Sequence, residues 1–153
     1  MGRVEGRPED NQFRPVIEVR IRFAGQTLPV LALVDSGADI TTIPVALGES
    51  LTGLDFDQIG QNGGQITGMG PPTESRRLDG ASVEYMGHVF ATSVMVGQAP
   101  RLVVGRNDFM RAFDVRFYWG HHPPEFWVEP TQPRKAASPP SPANPTIRPK
   151  KHR

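Results

Sequence analysis

The stretch LPVLALVDSGAD (28–39) decides how this chain is read: an apolar run of strand length stops at Asp35 and gives way to Ser36-Gly37. Five consecutive apolar residues, Val30 to Val34, suit a strand buried on both faces. Gly37 permits the tight backbone geometry by which the chain leaves the core. A carboxylate at that exit lies on a loop held by a rigid scaffold, where binding and catalytic groups concentrate. The tripeptide Asp-Ser/Thr-Gly alone arises by chance in roughly one chain of this length in fifteen at average composition. Its surroundings must therefore carry the argument.

Upstream, VIEVRIRF (16–23) alternates strictly, with Ile17, Val19, Ile21 and Phe23 on one face and Glu18, Arg20 and Arg22 on the other, the mark of a half-buried strand. Ala24-Gly25-Gln26 supplies turn chemistry, so this strand and TLPVLALVD form a hairpin. Downstream, ITTIPVAL is β-branched up to Pro44, which predicts a short strand and then a helical turn. Residues 60–70, GQNGGQITGMG, hold five glycines and precede Pro71-Pro72, a composition suited to a mobile hairpin. SRRLDGASVEYM and HVFATSVMV, joined at Gly87, read as two antiparallel strands; LVVG, a short helix in RNDFMRAF, and strands DVRFYW and EFWVEP follow. Many short strands with one short helix define an all-β barrel or sandwich.

The chain has 153 residues, 37% of them apolar, enough for one core and too few for two ordinary domains. Residues 1–14 are expected to be a flexible segment, 15–129 the folded domain and 130–153 a disordered tail. The tail holds seven prolines, six basic residues and no acidic one. It cannot bury enough apolar surface to offset its ordering entropy. Removing its 6 basic groups from the total of 17 leaves 11 against 16 acidic groups, so the remainder carries a formal charge of −5. The basic end RPKKHR could neutralise nucleic-acid phosphates, although a solvated linker is the simpler reading. No apolar stretch approaches the length needed to cross a bilayer and no h-region opens the chain, so a cytoplasmic location without membrane attachment is expected.

The order of motifs resembles that of the retroviral-type, or retropepsin-like, aspartic peptidases. An apolar strand enters D-[ST]-G-A-[DN], here LALVDSGAD; a glycine-rich flap follows, here ITGMG; an apolar pair then precedes G-R-[DN], here LVVGRND. The resemblance covers about residues 16–118. It implies an all-β fold, a small closed acid-protease barrel with one short C-terminal helix, a single-lobe subunit that forms a two-fold dimer. It implies an aspartic endopeptidase in which Asp35 from each of two chains activates a water. Ser36 and Gly37 would support that dyad, and Gly37, Ala38, Asp39 and the flap tip Gly68, Met69 and Gly70 would bind a peptide or protein substrate. Asp39 would pair with Arg106, an ion pair worth roughly 3 kcal/mol if buried. A different class of function, a catalytically weak dimeric binding or scaffold module, fits the same fold.

Chemistry agrees with the resemblance. Hydrolysis without metal or thiol needs one group to take a proton and another to give one, and two close carboxylates can do both. The chain has one Asp-Ser-Gly, so the second carboxylate must come from another copy, which makes a homodimer the expected partner. There is no cysteine, which excludes thiolate chemistry and thiolate zinc sites. His121-His122 are adjacent and point apart on an extended chain, with no carboxylate at ligand spacing, so neither a metal nor a cofactor is expected. Ser36 lacks the elbow motif of a serine nucleophile.

Overall fold

Strict alternation in the first half of the domain becomes a long strand whose inward residues Ile17, Val19 and Ile21 are buried. The computed structural model describes residues 3–7, 12–67 and 71–132. Strands β1 (Arg3–Arg7), β2 (Gln12–Phe23), β3 (Gln26–Val34) and β4 (Thr42–Pro44) precede helix α1 (Val45–Thr52) and a short 3-10 turn at Phe56–Gln58. Strands β5 (Gln61–Ile66), β6 (Thr73–Tyr85), β7 (His88–Gly97) and β8 (Leu102–Val104) follow. Helix α2 (Phe109–Ala112), β9 (Phe113–Tyr118) and β10 (Glu125–Pro130) complete the described chain. The fold is mostly β, as the patterning requires.

Pairing runs β2, β3, β8, β4, β7, β6 and returns to β2, so the sheet closes on itself. Closure is made where Arg20, Ile21 and Arg22 face Glu84, Val83 and Ser82. Two of the seams, β3 with β8 and β4 with β7, are parallel. Both hairpin turns use two residues in the left-handed region, Ala24 (φ 47°) with Gly25 (φ 80°) and Met86 (φ 49°) with Gly87 (φ 77°). That geometry matches the twist of the strands it joins. Strand β6 bulges between Asp79 and Val83, and Gly80 at φ 81° takes the conformation the bulge needs.

Residues 3–7 pair as β1 with the start of β2, Arg3 opposite Val16 and Arg7 opposite Gln12. Two expectations are corrected. Strand β3 is not buried on both faces: Ala32 and Val34 lie in the core, whereas Leu31 is 55% exposed and points out of the barrel. Two helices are present rather than one, because residues 45–52 after Pro44 form α1. The tail beyond residue 132 and the expected flap tip, Gly68-Met69-Gly70, lie outside the described residues.

Helix α1 has no side-chain cap and carries Gly48 in its interior, both poor helix signals. Packing accounts for it. A Cβ on Gly48 would stand 2.5 Å from Val96 Cγ1 on β7, so only glycine lets the helix lie this close to the sheet. Helix α2 is held by aromatic rings: Phe109 stacks on Phe113 at 4.9 Å between centroids, and Phe90 meets Phe109 edge-on at 5.0 Å.

Two outcomes are expected. Gly48→Ala should destabilise the fold by about 1–2 kcal/mol through overpacking, despite a gain in helix propensity. Adding Val96→Ala should recover part of that loss in a double-mutant cycle read by urea denaturation. Burial raises the Tyr85 phenol above its ordinary value of 10.0. The folded state thus favours the neutral phenol, a contribution fully present below pH 10 and lost as pH rises through the raised value. Tyr85→Phe should flatten the alkaline fall in melting temperature.

Candidate active site

Asp35 stands one residue past β3, where the buried strand emerges. Its backbone N–H donates to the Val104 carbonyl at 3.1 Å, which extends the parallel pairing with β8 to the end of the core. Asp35 as a residue is half-buried. Gly37 N–H donates to Asp35 Oδ1 at 2.8 Å and Ala38 N–H to the Asp35 carbonyl at 3.2 Å, so the turn that follows wraps around the acid. A Cβ on Gly37 would lie 3.1 Å from Asp35 Oδ1, closer than ordinary contact. Ser36 and Gly37 are exposed and Ala38 is half-buried.

The loop is fixed from below by the second motif, 67 residues away. Arg106 N–H donates to the Ala38 carbonyl at 3.0 Å, and Asn107 N–H to the Asp39 carbonyl at 2.7 Å. Gly105 makes this approach possible, since a Cβ there would lie 2.7 Å from the Ile40 nitrogen and 2.8 Å from the Ala38 oxygen. Arg106 Nη2 donates to Asp39 Oδ1, so the structure brings these two together as an ion pair. The Arg106 and Asp39 side chains are 57% and 70% exposed. An exposed pair is worth at most about 1 kcal/mol, not the roughly 3 kcal/mol that burial would have given.

The residue that sequence reasoning missed is Asp108. Its Oδ2 accepts from Thr41 N–H at 2.7 Å and its Oδ1 from Phe109 N–H at 2.6 Å. One half-buried carboxylate thus caps α2 and ties down the strand that leaves the DSGAD loop. The available signal was an acidic residue directly before an apolar helical run, the N-cap pattern. Thr41 is fully buried, and its Oγ1 has no hydrogen-bond partner among the described residues.

Beside Asp35 the outward face of the barrel is apolar. Leu33 pairs with Val103 and Val103 with Thr42, placing three half-buried side chains in one row. Thr42 pairs in turn with Met95. Strand β5 lies over this end: a Cβ on Gly63 would collide with Met95 Cε at 2.2 Å, and one on Gly97 with Ile66 Cδ1 at 2.6 Å.

Elsewhere, His121 Nδ1 lies 3.2 Å from Glu125 Oε2, so a carboxylate does reach this histidine, contrary to the expectation from spacing. The loop of residues 119–124 between β9 and β10 brings Glu125 back toward it. Among the described residues no group of three or more His, Cys, Asp or Glu side chains is placed to hold a metal ion. None of the described helices is long and apolar enough to cross a membrane.

Comparison with known proteins now assigns the class. The family model described as retroviral aspartyl protease matches residues 11–118, more than half of the chain. The chain belongs to that family. Among solved structures it is similar to the EIAV protease complexed with the inhibitor HBY-793, at 24% identity and a TM-score of 0.49, covering 64% of this chain and 86% of that one. No curated protein matches the sequence.

The two ties predict different costs. Asp108→Ala removes two charge-assisted hydrogen bonds and should cost about 2–3 kcal/mol. Arg106→Ala should cost no more than about 1 kcal/mol. Urea denaturation of both variants checks the order; a larger loss for Arg106→Ala would reverse the assignment.

Proposed function

We propose that the chain is an aspartic endopeptidase that hydrolyses peptide bonds with a water activated by the Asp35 carboxylates of two copies across a homodimer axis. The observation that carries this reading is the state of Asp35. The residue is half-buried at the mouth of an apolar row, and its carboxylate is oriented by the Gly37 N–H. No cation pairs with it among the described residues. A structural aspartate at such a strand end would be expected to spend its charge on a neighbour, as Asp108 does.

In the dyad, one Asp35 takes a proton from water while the other, protonated, gives one to the carbonyl oxygen of the bond being cut. Two carboxylates held close cannot both ionise, a behaviour established for aspartic proteases as a class. Ser36, exposed beside the acid, is assigned to support the dyad across the axis. Ala38 and Asp39 are assigned to the substrate main chain, and Gly68, Met69 and Gly70 to the flap tip.

The dimer is tested by mixing. Asp35→Asn replaces a carboxyl by an amide of nearly equal shape, so that chain should fold and associate yet fail to cleave. In an equimolar mixture with wild type after exchange, random pairing should lower activity per wild-type chain to about half. Activity per wild-type chain that stays constant across mixing ratios would show that each subunit acts alone. An intact dimer that hydrolyses no peptide from a mixed library would favour the binding-module reading instead.

A further inference from the structure

Next to the face that carries Asp35 stands an arginine with no ion pair among the described residues. Alternation along β3 puts Asp35, Leu33 and Leu31 on the outward side, with Ala32 and Val34 in the core. The parallel register with β8, Leu33 opposite Val103, carries the same alternation to the neighbouring strand. Leu102 and Val104 are buried, Val103 is half-buried beside Leu33, and Arg101, in the bend immediately before β8, is exposed. Continuing the register by one residue sets it level with Leu31, about 7 Å from Val103.

Most arginines of the fold are committed. Arg22 bonds Glu84, Arg77 bonds Asp79, Arg106 bonds Asp39, Arg116 bonds Glu129, and Arg76 donates to the carbonyls of Ile59 and Gly60. Arg101 makes no hydrogen bond or ion pair among the described residues. The row running away from Asp35 is therefore apolar at Leu33 and Val103, and then presents an unpaired guanidinium beside exposed Leu31. The Arg106–Asp39 pair, on the other side of the acid, is internally neutral.

We infer that Arg101 selects an acidic side chain of the substrate, held within four residues of the bond that is cut. The inference rests on the reading of Asp35 as the cleaving group. A guanidinium presents a rigid fork that matches a carboxylate with two parallel hydrogen bonds, and where the chain outside its basic tail carries a formal charge of −5 it attracts that group locally. The limit of four residues follows from geometry. Four strand residues span the distance from the level of Arg101 to Asp35, about 13 Å, and an extended peptide covers that length in the same number.

Two parallel readouts test the inference. Wild-type protein is given a randomised peptide library and the cleavage products are sequenced; Asp35→Asn protein is given the same library and the retained peptides are sequenced. Asp and Glu should be enriched at one position within four residues of the cleaved bond, and in the retained set. Arg101→Ala should abolish that enrichment and lower kcat/KM for an acidic peptide about five-fold, the size of one partly exposed ion pair, leaving its Gln analogue unchanged. Arg101→Glu should turn the preference toward Lys and Arg, and Arg111→Ala, an exposed change on α2, should alter neither set.

Acidic enrichment that survives Arg101→Ala would overturn the inference. So would aromatic enrichment, or none, in the retained set. Acidic peptides retained in an Arg101-dependent way by a protein whose wild type cleaves nothing would remove the peptidase reading and leave the assignment of Arg101 standing.

Discussion

One carboxylate, that of Asp108, holds two distant parts of the chain in register. By accepting from Thr41 N–H and Phe109 N–H at once, it joins the end of the DSGAD loop to the start of α2. The backbone bonds from Asn107 to Asp39, from Arg106 to Ala38, and from Asp35 to Val104 continue the same seam. Buried or half-buried backbone groups must be paired, and a loop lined with glycine and small residues has few other ways to satisfy them. The position of Asp35 is a property of this seam more than of its own strand. The seam in turn is set by the aromatic packing of Phe90, Phe109 and Phe113, which fixes where α2 can lie.

The visible ion pair and the energetically important tie are not the same. Arg106 and Asp39 form the contact that catches the eye, yet both are exposed, and solvent screens them. Gly105 and Asp108, on either side of the Arg106-Asn107 pair, do more. The glycine lets two backbones touch, and the acid closes the hydrogen bonds that the contact exposes. An arginine in this motif is easily read as the structural anchor because it has a charged partner. Here the anchor is the neutral approach of main chain to main chain, completed by a partly buried acceptor.

The strands and the site loop were legible because both rest on local pattern. VIEVRIRF has period two over its whole length, and the β6–β7 hairpin turns at Gly87. The DSGAD and GRND motifs carry the family resemblance, and both fall within the residues that the family model matches. What the sequence hid depended on distant neighbours. Helix α1 lacks a cap and contains Gly48, so propensity argues against it, and its reason for existing is Val96, 48 residues later in the chain. Strand β3 looked buried on both faces because it is apolar throughout. The outward leucines Leu31 and Leu33 instead belong to the face that carries Asp35. Asp108 was overlooked because a four-residue helix gives almost no periodic signal around its cap.

The parallel pairing of β3 with β8 also bears on the order of events when the chain folds. Ala32, Leu33 and Val34 have no edge to bond on that side until Leu102, Val103 and Val104 arrive. Contacts of such long sequence separation form slowly, since the closure entropy of the intervening chain must be met before they are rewarded. The first hairpin, β2 with β3, can assemble early from local contacts, with the aspartate at its end still swinging free. Only when the segment through Phe109 docks does that acid acquire a fixed direction. A ribosome-bound chain that has exposed DSGAD but not GRND would hold every atom of the acidic motif and none of its geometry.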